Sequence, residues 1–389
     1  MNILIAIDSF KGSLTSAEAG EAAAAGIRAA NPDAEIEVVP LADGGEGTVE
    51  ALVQATGGEL VRARVTGPLG EPVNAAYGIL GDGTTAVIEI AEACGLPLIP
   101  EADRNPLEAT SYGVGELILD AASRGARSLI VGLGGSATND AGVGMLQALG
   151  CRFLDGAGEE VPRGGAALGA IRSADVSGLH PDIQSLDIQV ACDVNNPLHG
   201  EQGAAYIYGP QKGATPEMVE ELDSGLRNFA EVVEKELGKD IQEIPGAGAA
   251  GGLGAAFAGL LDAELRSGIE LVLDTIGLEE KVRPADFVIT GEGRMDAQSS
   301  MGKAAMGVAG LAEKHGVPVI ALAGSATNEA ASLNGKGMTA YFSILQEPIT
   351  LEEAIRPEIA RQNMETAAEQ VFRLIGAVKP ALPEVQRLK

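Results

Sequence analysis

Acidic and basic side chains fall within two short glycine-containing segments near the start of the sequence. The segment DSFKGS contributes Asp8, Ser9 and Lys11 directly after an apolar run. The carboxylate could orient a substrate or bind a metal ion, and the lysine could bind a phosphate or carboxylate near a helix N-terminus. The segment ADGGEGT adds Asp43 and Glu46 among glycines that let the backbone approach Mg²⁺ or a substrate hydroxyl. Either segment alone could be an ordinary surface turn.

A third segment, VGLGGSATND, follows the apolar run SLIV and precedes a predicted helix. Glycines beside hydroxyl and amide side chains form a cluster of hydrogen-bond donors, which suits a polyphosphate at a helix N-terminus. The residues that we predict to bind phosphate or substrate here, with the nucleotide as the first candidate, are Gly134, Gly135, Ser136, Thr138 and Asn139.

A fourth segment, PGAGAAGGLG, contains a literal GxGxxG and contributes Gly248, Gly251 and Gly252. As a dinucleotide fingerprint it is weak, because the preceding residues DIQEI make a poor strand. We predict a glycine-rich nucleotide-binding or hinge loop, with NAD binding as the alternative.

Further charged residues lie after predicted strands or in a turn. Asp193 ends the strand DIQVA and could bind Mg²⁺ or accept a proton, although an Asx-turn would use the same residues. The segment TGEGRMDAQ brings together Glu292, Arg294 and Asp296, charged groups that are costly to bury without a function. Lys212 adds one cation in the turn GPQKG.

The composition excludes several classes of protein. The net charge of −28 disfavours nucleic-acid and anionic-membrane partners, which require Lys and Arg to neutralise phosphates. The three cysteines form no CxxC pair, so neither a disulfide framework nor a zinc site is expected. No signal peptide or membrane-spanning stretch is recognisable, so we expect a cytoplasmic protein. Homo-oligomerisation stays open.

The absence of other signatures narrows the chemistry. The sequence contains no GxxxxGK[ST] and no HRD or DFG signature, and its three histidines lie outside the segments above. The groups that could still carry the chemistry are carboxylates, cations and glycine-rich turns. They favour phosphoryl transfer, which needs positioning and charge neutralisation more than a strong nucleophile.

The elements that must position these groups follow two patterns. Strand-loop-helix units occur at the start of the chain and again near its end, which is typical of a parallel sheet covered by helices. The middle begins with hairpin-like alternation around the turn TGPLGE. We therefore predict a discontinuous Rossmann-like or flavodoxin-like α/β domain formed by 1–65 plus 285–389. A second α/β domain with a mixed sheet, 66–284, is inserted into it.

Taken in series, the segments resemble the bacterial two-domain glycerate kinases. The matching segments are DSFKGS, PLADGGEGT, VTGPLG, RNPLEATSYGVGELI, VGLGGSATNDAGVG, ACDVNNPL, YGPQKGA, PGAGAAGGLG and TGEGRMDAQS. One departure is Ala305, where the family usually has a proline. The resemblance implies ATP, Mg²⁺ and D-glycerate, with 2-phosphoglycerate as the favoured product. Formation of 3-phosphoglycerate, or a kinase for another small hydroxy acid, is the alternative, and an NAD-dependent hydroxy-acid oxidoreductase is a distant one.

Within this interpretation each candidate receives a hypothetical role. Asp193 is the first candidate for the catalytic carboxylate and Asp296 the second, with Lys11 and Arg294 stabilising the transferring charge. The metal ligands would come from Asp43, Asp193 and Asp296. Glycerate would meet Asp8, Ser9, Lys11, Asp43, Glu46 and Lys212, whereas the glycine-rich segments and Glu292 would bind the nucleotide.

Overall fold

The chain forms two compact units in a computed structural model that describes residues 1–296 and 304–378. The first unit consists of Met1–Asp43 and the described residues from Val272 onward, and the second is Gly44–Leu271. The second unit is thus inserted in the sequence of the first, as predicted. Two α/β units with a parallel and a mixed sheet confirm the predicted fold class.

The elements of the described residues alternate between strands and helices along most of the chain. The strands are β1 (Asn2–Ile5), β2 (Glu35–Val38), β3 (Glu59–Thr66), β4 (Pro72–Ile79), β5 (Thr85–Glu89), β6 (Ser128–Gly132), β7 (Arg152–Leu154), β8 (Ser173–Asp175), β9 (Asp187–Ala191), β10 (Glu264–Arg266), β11 (Phe287–Met295), β12 (Val319–Ala326) and β13 (Ala340–Ser343). The helices are α1 (Ser16–Ala30), α2 (Thr48–Thr56), α3 (Ala91–Cys94), α4 (Tyr112–Ser123), α5 (Val143–Ala148), α6 (Pro181–Gln184), α7 (Ala204–Tyr208), α8 (Pro216–Leu237), α9 (Leu253–Ala255), α10 (Gly268–Thr275), α11 (Leu278–Val282), α12 (Ala304–Lys314), α13 (Leu351–Ala354) and α14 (Pro357–Val378). Short 3₁₀ segments include Gly165–Ala170, Pro210–Lys212, Ala249–Gly252 and Asn328–Lys336.

The first unit is built on a parallel sheet with the strand order β13-β12-β11-β1-β2. Strands β1 and β12 are largely buried apolar runs, as expected when helices cover a parallel sheet, whereas the edge strand β2 alternates exposed and half-buried residues. Alternate side chains of β1, including Ile3 and Ile5, pack against small residues of α1 and apolar residues of α14. Helix α12 packs against β11 and β12. This arrangement holds the carboxyl ends of the strands in fixed positions.

Helix α1 begins where the sequence predicts it. The Thr15 hydroxyl accepts the backbone N–H of Glu18 at 3.2 Å, and the Glu18 carboxylate accepts the N–H of Thr15 at 2.9 Å. This reciprocal capping box satisfies two N–H groups that the helix leaves unpaired. The Ser16 hydroxyl also donates to the carbonyl of Ile7 and accepts the N–H of Leu41, which ties the chain after β1 to the chain after β2.

The second unit is built on a mixed sheet with the order β10-β9-β6-β5-β4-β3. The predicted hairpin is confirmed, because β3 and β4 pair antiparallel from Glu59↔Ile79 to Thr66↔Pro72. Strands β5, β6, β9 and β10 are parallel to one another. Helix α8 begins after Thr215, as predicted, and buries the apolar face that includes Leu222.

Two expectations about boundaries differ from the structure. The expected division near residue 65 falls inside β3, whose full-length pairing with β4 places residues 44–65 in the second unit. The return to the first unit lies between Leu271 and Val272 rather than near 284. Within the described ranges, no helix has the length and apolar character needed to cross a membrane.

Candidate active site

A cavity of about 530 Å³ opens in the first unit where its parallel strands end. The chain runs outward from β1 to β2 on one side of the sheet and from β11 to β12 and β13 on the other. Open parallel sheets bind ligands at such a reversal of strand order, outside the carboxyl ends of the strands. We call this the switch-point cavity. The predicted site residues that line it are Asp8, Ser9, Lys11, Asp43, Glu292 and Arg294.

Asp8 is the most strongly perturbed carboxyl group of the switch-point cavity. Burial, together with repulsion from the nearby Asp43 and Glu292 carboxylates, raises the pKa of Asp8 to about 7. The backbone N–H of Ser9, which donates to Asp8 Oδ1 at 2.7 Å, and the charge of Lys11 act in the opposite direction. A pKa near neutrality is typical of a group that accepts a proton or awaits a cation.

Glu292 and Arg294 lie in β11 itself, whereas the sequence predicts a strand ending at Thr290 and a loop beyond it. Strand β11 continues because it pairs in parallel with β12 as far as Met295. The glycines of this stretch permit that pairing, since a Cβ at Gly291 would overlap the carbonyl oxygen of Leu322. The charged side chains are therefore carried by a paired strand, a more rigid support than a loop.

Asp296 directly follows β11 and does not line the switch-point cavity. Its carboxylate lies 3.3 Å from the guanidinium Nε of Arg294. An ion pair with an exposed arginine holds Asp296 beside β11. The predicted residues Ala297 and Gln298 lie outside the described residues.

In the second unit, the segment from Gly134 to Asn139 is only partly accessible. Gly134 and Gly135 are exposed, whereas Ser136, Thr138 and Asn139 are buried. The exposed glycines can therefore face a ligand, and the side chains behind them support the loop. Both amide atoms of Asn139 are without a hydrogen-bond partner within the part of the chain that the structure describes.

Lys212 is buried beneath this loop, although the sequence places it in an ordinary turn. Its ammonium group donates to the Ser136 hydroxyl at 2.8 Å and to the Thr138 carbonyl at 2.7 Å. Burial lowers the pKa of Lys212 to about 8, while the nearby Cys94 and Asp140 act to raise this pKa. Lys212 thus holds the segment from Gly134 to Asn139 in place through these two hydrogen bonds.

Asp140 is also fully buried and organises the start of α5. Its carboxylate accepts the Ser111 hydroxyl and N–H and the backbone N–H groups of Gly142 and Gly144. Burial raises the pKa of Asp140, and these hydrogen bonds act to lower it. These contacts hold the turn that leads into α5.

The glycines of PGAGAAGGLG pack against this same loop. A Cβ at Gly251 would overlap the carbonyl oxygen of Thr138, and one at Gly252 would lie 2.6 Å from Cα of Ala141. Gly248 is buried against the carbonyl of Pro197. Close backbone approach within the unit explains why these positions are glycine, and no bound dinucleotide is needed to explain them.

The segment that carries Glu46 lies at the ends of β6 and β9. A Cβ at Gly44 would lie 2.8 Å from Cβ of Ala191 and from Cα of Gly268. The same Gly268 donates its N–H to Asp193 Oδ1 at 3.0 Å. Both Glu46 and Asp193 are exposed. The structure thus brings the Glu46 segment together with Asp193 in the second unit.

Sequence reasoning missed Glu89 at the carboxyl end of β5. Its carboxylate accepts the backbone N–H of Val49 at 2.9 Å, which anchors the start of α2 directly after the Glu46 segment. Burial raises the pKa of Glu89 to about 7. The only signal in the sequence is an acid ending the apolar run TTAVIE, which also fits a solvated strand residue.

No group of three or more His, Cys, Asp and Glu side chains is arranged to hold a metal ion within residues 1–296 and 304–378. Asp43 and Asp296 belong to the first unit and Asp193 to the second. They do not form a preformed all-protein cage. Mg²⁺ at phosphoryl-transfer sites usually takes one or two carboxylates together with substrate phosphates, so each aspartate stays an individual candidate.

Residues 3–376 match the model of the Glycerate kinase family. The chain belongs to the glycerate kinase family. This family member is 52% identical over 356 residues to the Glycerate 2-kinase of Escherichia coli strain K12, covering 92% of this chain and 93% of that one. It is 49% identical to the Glycerate kinase of Bacillus subtilis strain 168, covering 97% and 99% of the two chains.

Among solved structures, this glycerate kinase family member is similar to the crystal structure of "putative glycerate kinase 2" from Salmonella typhimurium LT2. The TM-score is 0.90 at 47% sequence identity, and the match covers 98% of this chain and 99% of that one. The resemblance inferred from the sequence segments is therefore confirmed at the level of family and fold. The family assignment leaves the NAD-dependent alternative without support.

Proposed function

We propose that this kinase transfers the terminal phosphate of ATP to the 2-hydroxyl of D-glycerate, with Mg²⁺, and releases 2-phosphoglycerate. Membership of the glycerate kinase family supports the reaction class, and the name of the Escherichia coli relative supports position 2. The observation that carries the proposal in structural terms is the collection of carboxylates and cations in the switch-point cavity. The cytoplasmic location stays a prediction.

The carboxyl groups of Asp8 and Asp43 fit a magnesium–phosphate complex. They face one cavity together with Lys11 and Arg294, so that anionic ligands for a cation lie beside cationic partners for phosphate oxygens. Bound Mg²⁺ would neutralise charge on the phosphates. It would also remove the repulsion among these carboxylates, which raises the pKa of Asp8.

Asp193 is the group that we propose to orient and deprotonate the reacting hydroxyl. Its Oδ1 is held by the N–H of Gly268, and its side chain is exposed at the end of β9. Asp296 is the weaker candidate, because it is paired with Arg294 and does not line the switch-point cavity. Lys212 acts by supporting the Gly134–Gly135 turn through Ser136 and Thr138, since its side chain is buried there.

Phosphorus NMR of the product tests the reaction and its position together. A phosphate on the secondary carbon couples to one proton and gives a doublet, whereas a phosphate on the primary carbon couples to two and gives a triplet. A triplet would replace the proposed product by 3-phosphoglycerate. No phosphoglycerate from ATP and D-glycerate would remove the proposed function.

The role of Asp193 is tested by Asp193→Asn, with Asp187→Asn at the exposed start of the same strand as the matched control. Loss of a positioned base lowers kcat by about 10²- to 10⁴-fold. The control should keep the wild-type kcat, and both variants should bind ADP normally. A near-normal kcat in Asp193→Asn would exclude it as the base.

A further inference from the structure

One wall of the switch-point cavity has no part in the proposed chemistry. Besides the charged groups, the segment after β13 and the region of helix α13 present apolar side chains to the cavity. Leu351 and Ile355 are 77% and 39% exposed, so this part of the lining is not fully covered by the rest of the unit. The large apolar side chains that this region contributes are Ile344, Leu345, Ile349, Leu351 and Ile355.

The size of the cavity argues against glycerate as its main occupant. Cavities of roughly 300–1,000 Å³ with a largely apolar lining and a few polar groups suit ligands much larger than a three-carbon acid. The cavity of about 530 Å³ falls in that range. Glycerate carries polar groups on every carbon and would leave the apolar wall in contact with water.

A nucleotide matches both parts of the lining. A purine base is flat and apolar on its faces, so it can cover exposed leucine and isoleucine side chains. Its phosphates need cations and a metal ion, and the same lining contains the cations Lys11 and Arg294 and the carboxylates of Asp8 and Asp43, which could bind the metal ion. The reversal of strand order beside β1 and β11 is also where doubly wound sheets bind nucleotides.

We propose that the switch-point cavity binds the nucleoside end of ATP, with the base against Leu351 and Ile355 and the phosphates toward Asp8 and Lys11. This inference rests on the proposed function for the identity of the donor. It moves the Asp8 segment from glycerate binding to nucleotide binding, and leaves glycerate to the group around Asp193 in the second unit.

The test is the affinity for ADP with Mg²⁺, measured by isothermal titration calorimetry on the full chain. Leu351→Asp places a charge and a polar surface where the base should lie. Leu374→Asp is the matched control, because Leu374 is 62% exposed in the same unit and does not line the cavity. We expect Kd for ADP to rise roughly fivefold to tenfold in Leu351→Asp, and to stay within about twofold of wild type in the control.

Ile355→Asp is a second variant that should weaken ADP binding in the same way. The KM for glycerate at saturating ATP should stay unchanged in both cavity variants. The inference would be overturned if Leu351→Asp and Ile355→Asp both kept the wild-type affinity for ADP, or if Leu374→Asp lost as much affinity for ADP as they do. It would also be overturned if the two cavity variants raised only the KM for glycerate. ADP binding is measured without turnover. A negative result for the nucleotide site can therefore be told apart from the absence of phosphoglycerate, which would remove the proposed function.

Discussion

The raised pKa of Asp8 gives a quantitative prediction for the substitution Asp8→Asn. In the folded chain burial raises the pKa of Asp8 to about 7, against 3.8 for an unperturbed aspartate. The wild-type contribution to stability is therefore fully present below the unfolded pKa and is lost as the pH rises through 7. An asparagine does not titrate, so the stability of Asp8→Asn relative to wild type should increase with pH.

The size of this stability change follows from the pH range in which Asp8 is protonated in the folded state but ionised in the unfolded state. Between about pH 5 and pH 7 each pH unit costs the wild type about 1.4 kcal/mol, so Asp8→Asn should gain roughly 3 kcal/mol over wild type between pH 5 and pH 8. For a unit of this size that corresponds to a relative gain in Tm of roughly 5–10 °C.

Thermal unfolding followed by circular dichroism at both pH values, without Mg²⁺ or nucleotide, measures the effect. Asp33→Asn is the control, because Asp33 is an exposed acid of the same unit and should give the same Tm difference from wild type at both pH values. If Asp8→Asn also gave equal differences from wild type at the two pH values, the burial and repulsion assigned to Asp8 would be refuted.

Two further substitutions test the supports of the site. Gly291→Ala should destabilise the first unit by about 1–3 kcal/mol because its Cβ would overlap the carbonyl of Leu322, whereas Gly310→Ala in α12, with open space around it, should be neutral or stabilising in urea unfolding. Glu89→Leu should cost about 1–3 kcal/mol by leaving the N–H of Val49 without its acceptor, while Glu89→Gln keeps an acceptor oxygen and should lose much less. If the two variants of either pair lost the same free energy of unfolding, the contact that the pair tests would be contradicted.

Much of the fold follows from local patterns in the sequence. The Thr15–Glu18 capping box and the TGPLGE turn each specify an element through contacts only a few residues apart, and the apolar run before Asp8 predicts a buried strand from its composition. These elements are confirmed because the local signal agrees with the long-range pairing, such as that of β1 with β2 and β11. The boundary near residue 65 could not be placed from the sequence alone, because the partner of β3 decides to which unit that strand belongs, and β3 pairs with β4 of the second unit.

The site was less predictable because burial depends on distant partners. Lys212 occupies a glycine-containing turn, and only its contacts with Ser136 and Thr138 show that it is buried. Glu292 and Arg294 lie in a sequence rich in glycine and charge, typical of a loop, yet pairing with β12 makes it a strand. Which residues bind which substrate stays a prediction.

The insertion of Gly44–Leu271 has a consequence for biosynthesis. Strand β1 is made before its neighbour β11, and the whole insertion is made between them. The inserted unit is contiguous in sequence and can complete its own sheet during translation, because domains generally fold as units as they are made. The N-terminal segment must wait for β11, so the parallel sheet around the switch-point cavity is completed only after Leu271 has been made, and a chain that ends at Leu271 would contain every strand of the mixed sheet but not β11, β12 or β13.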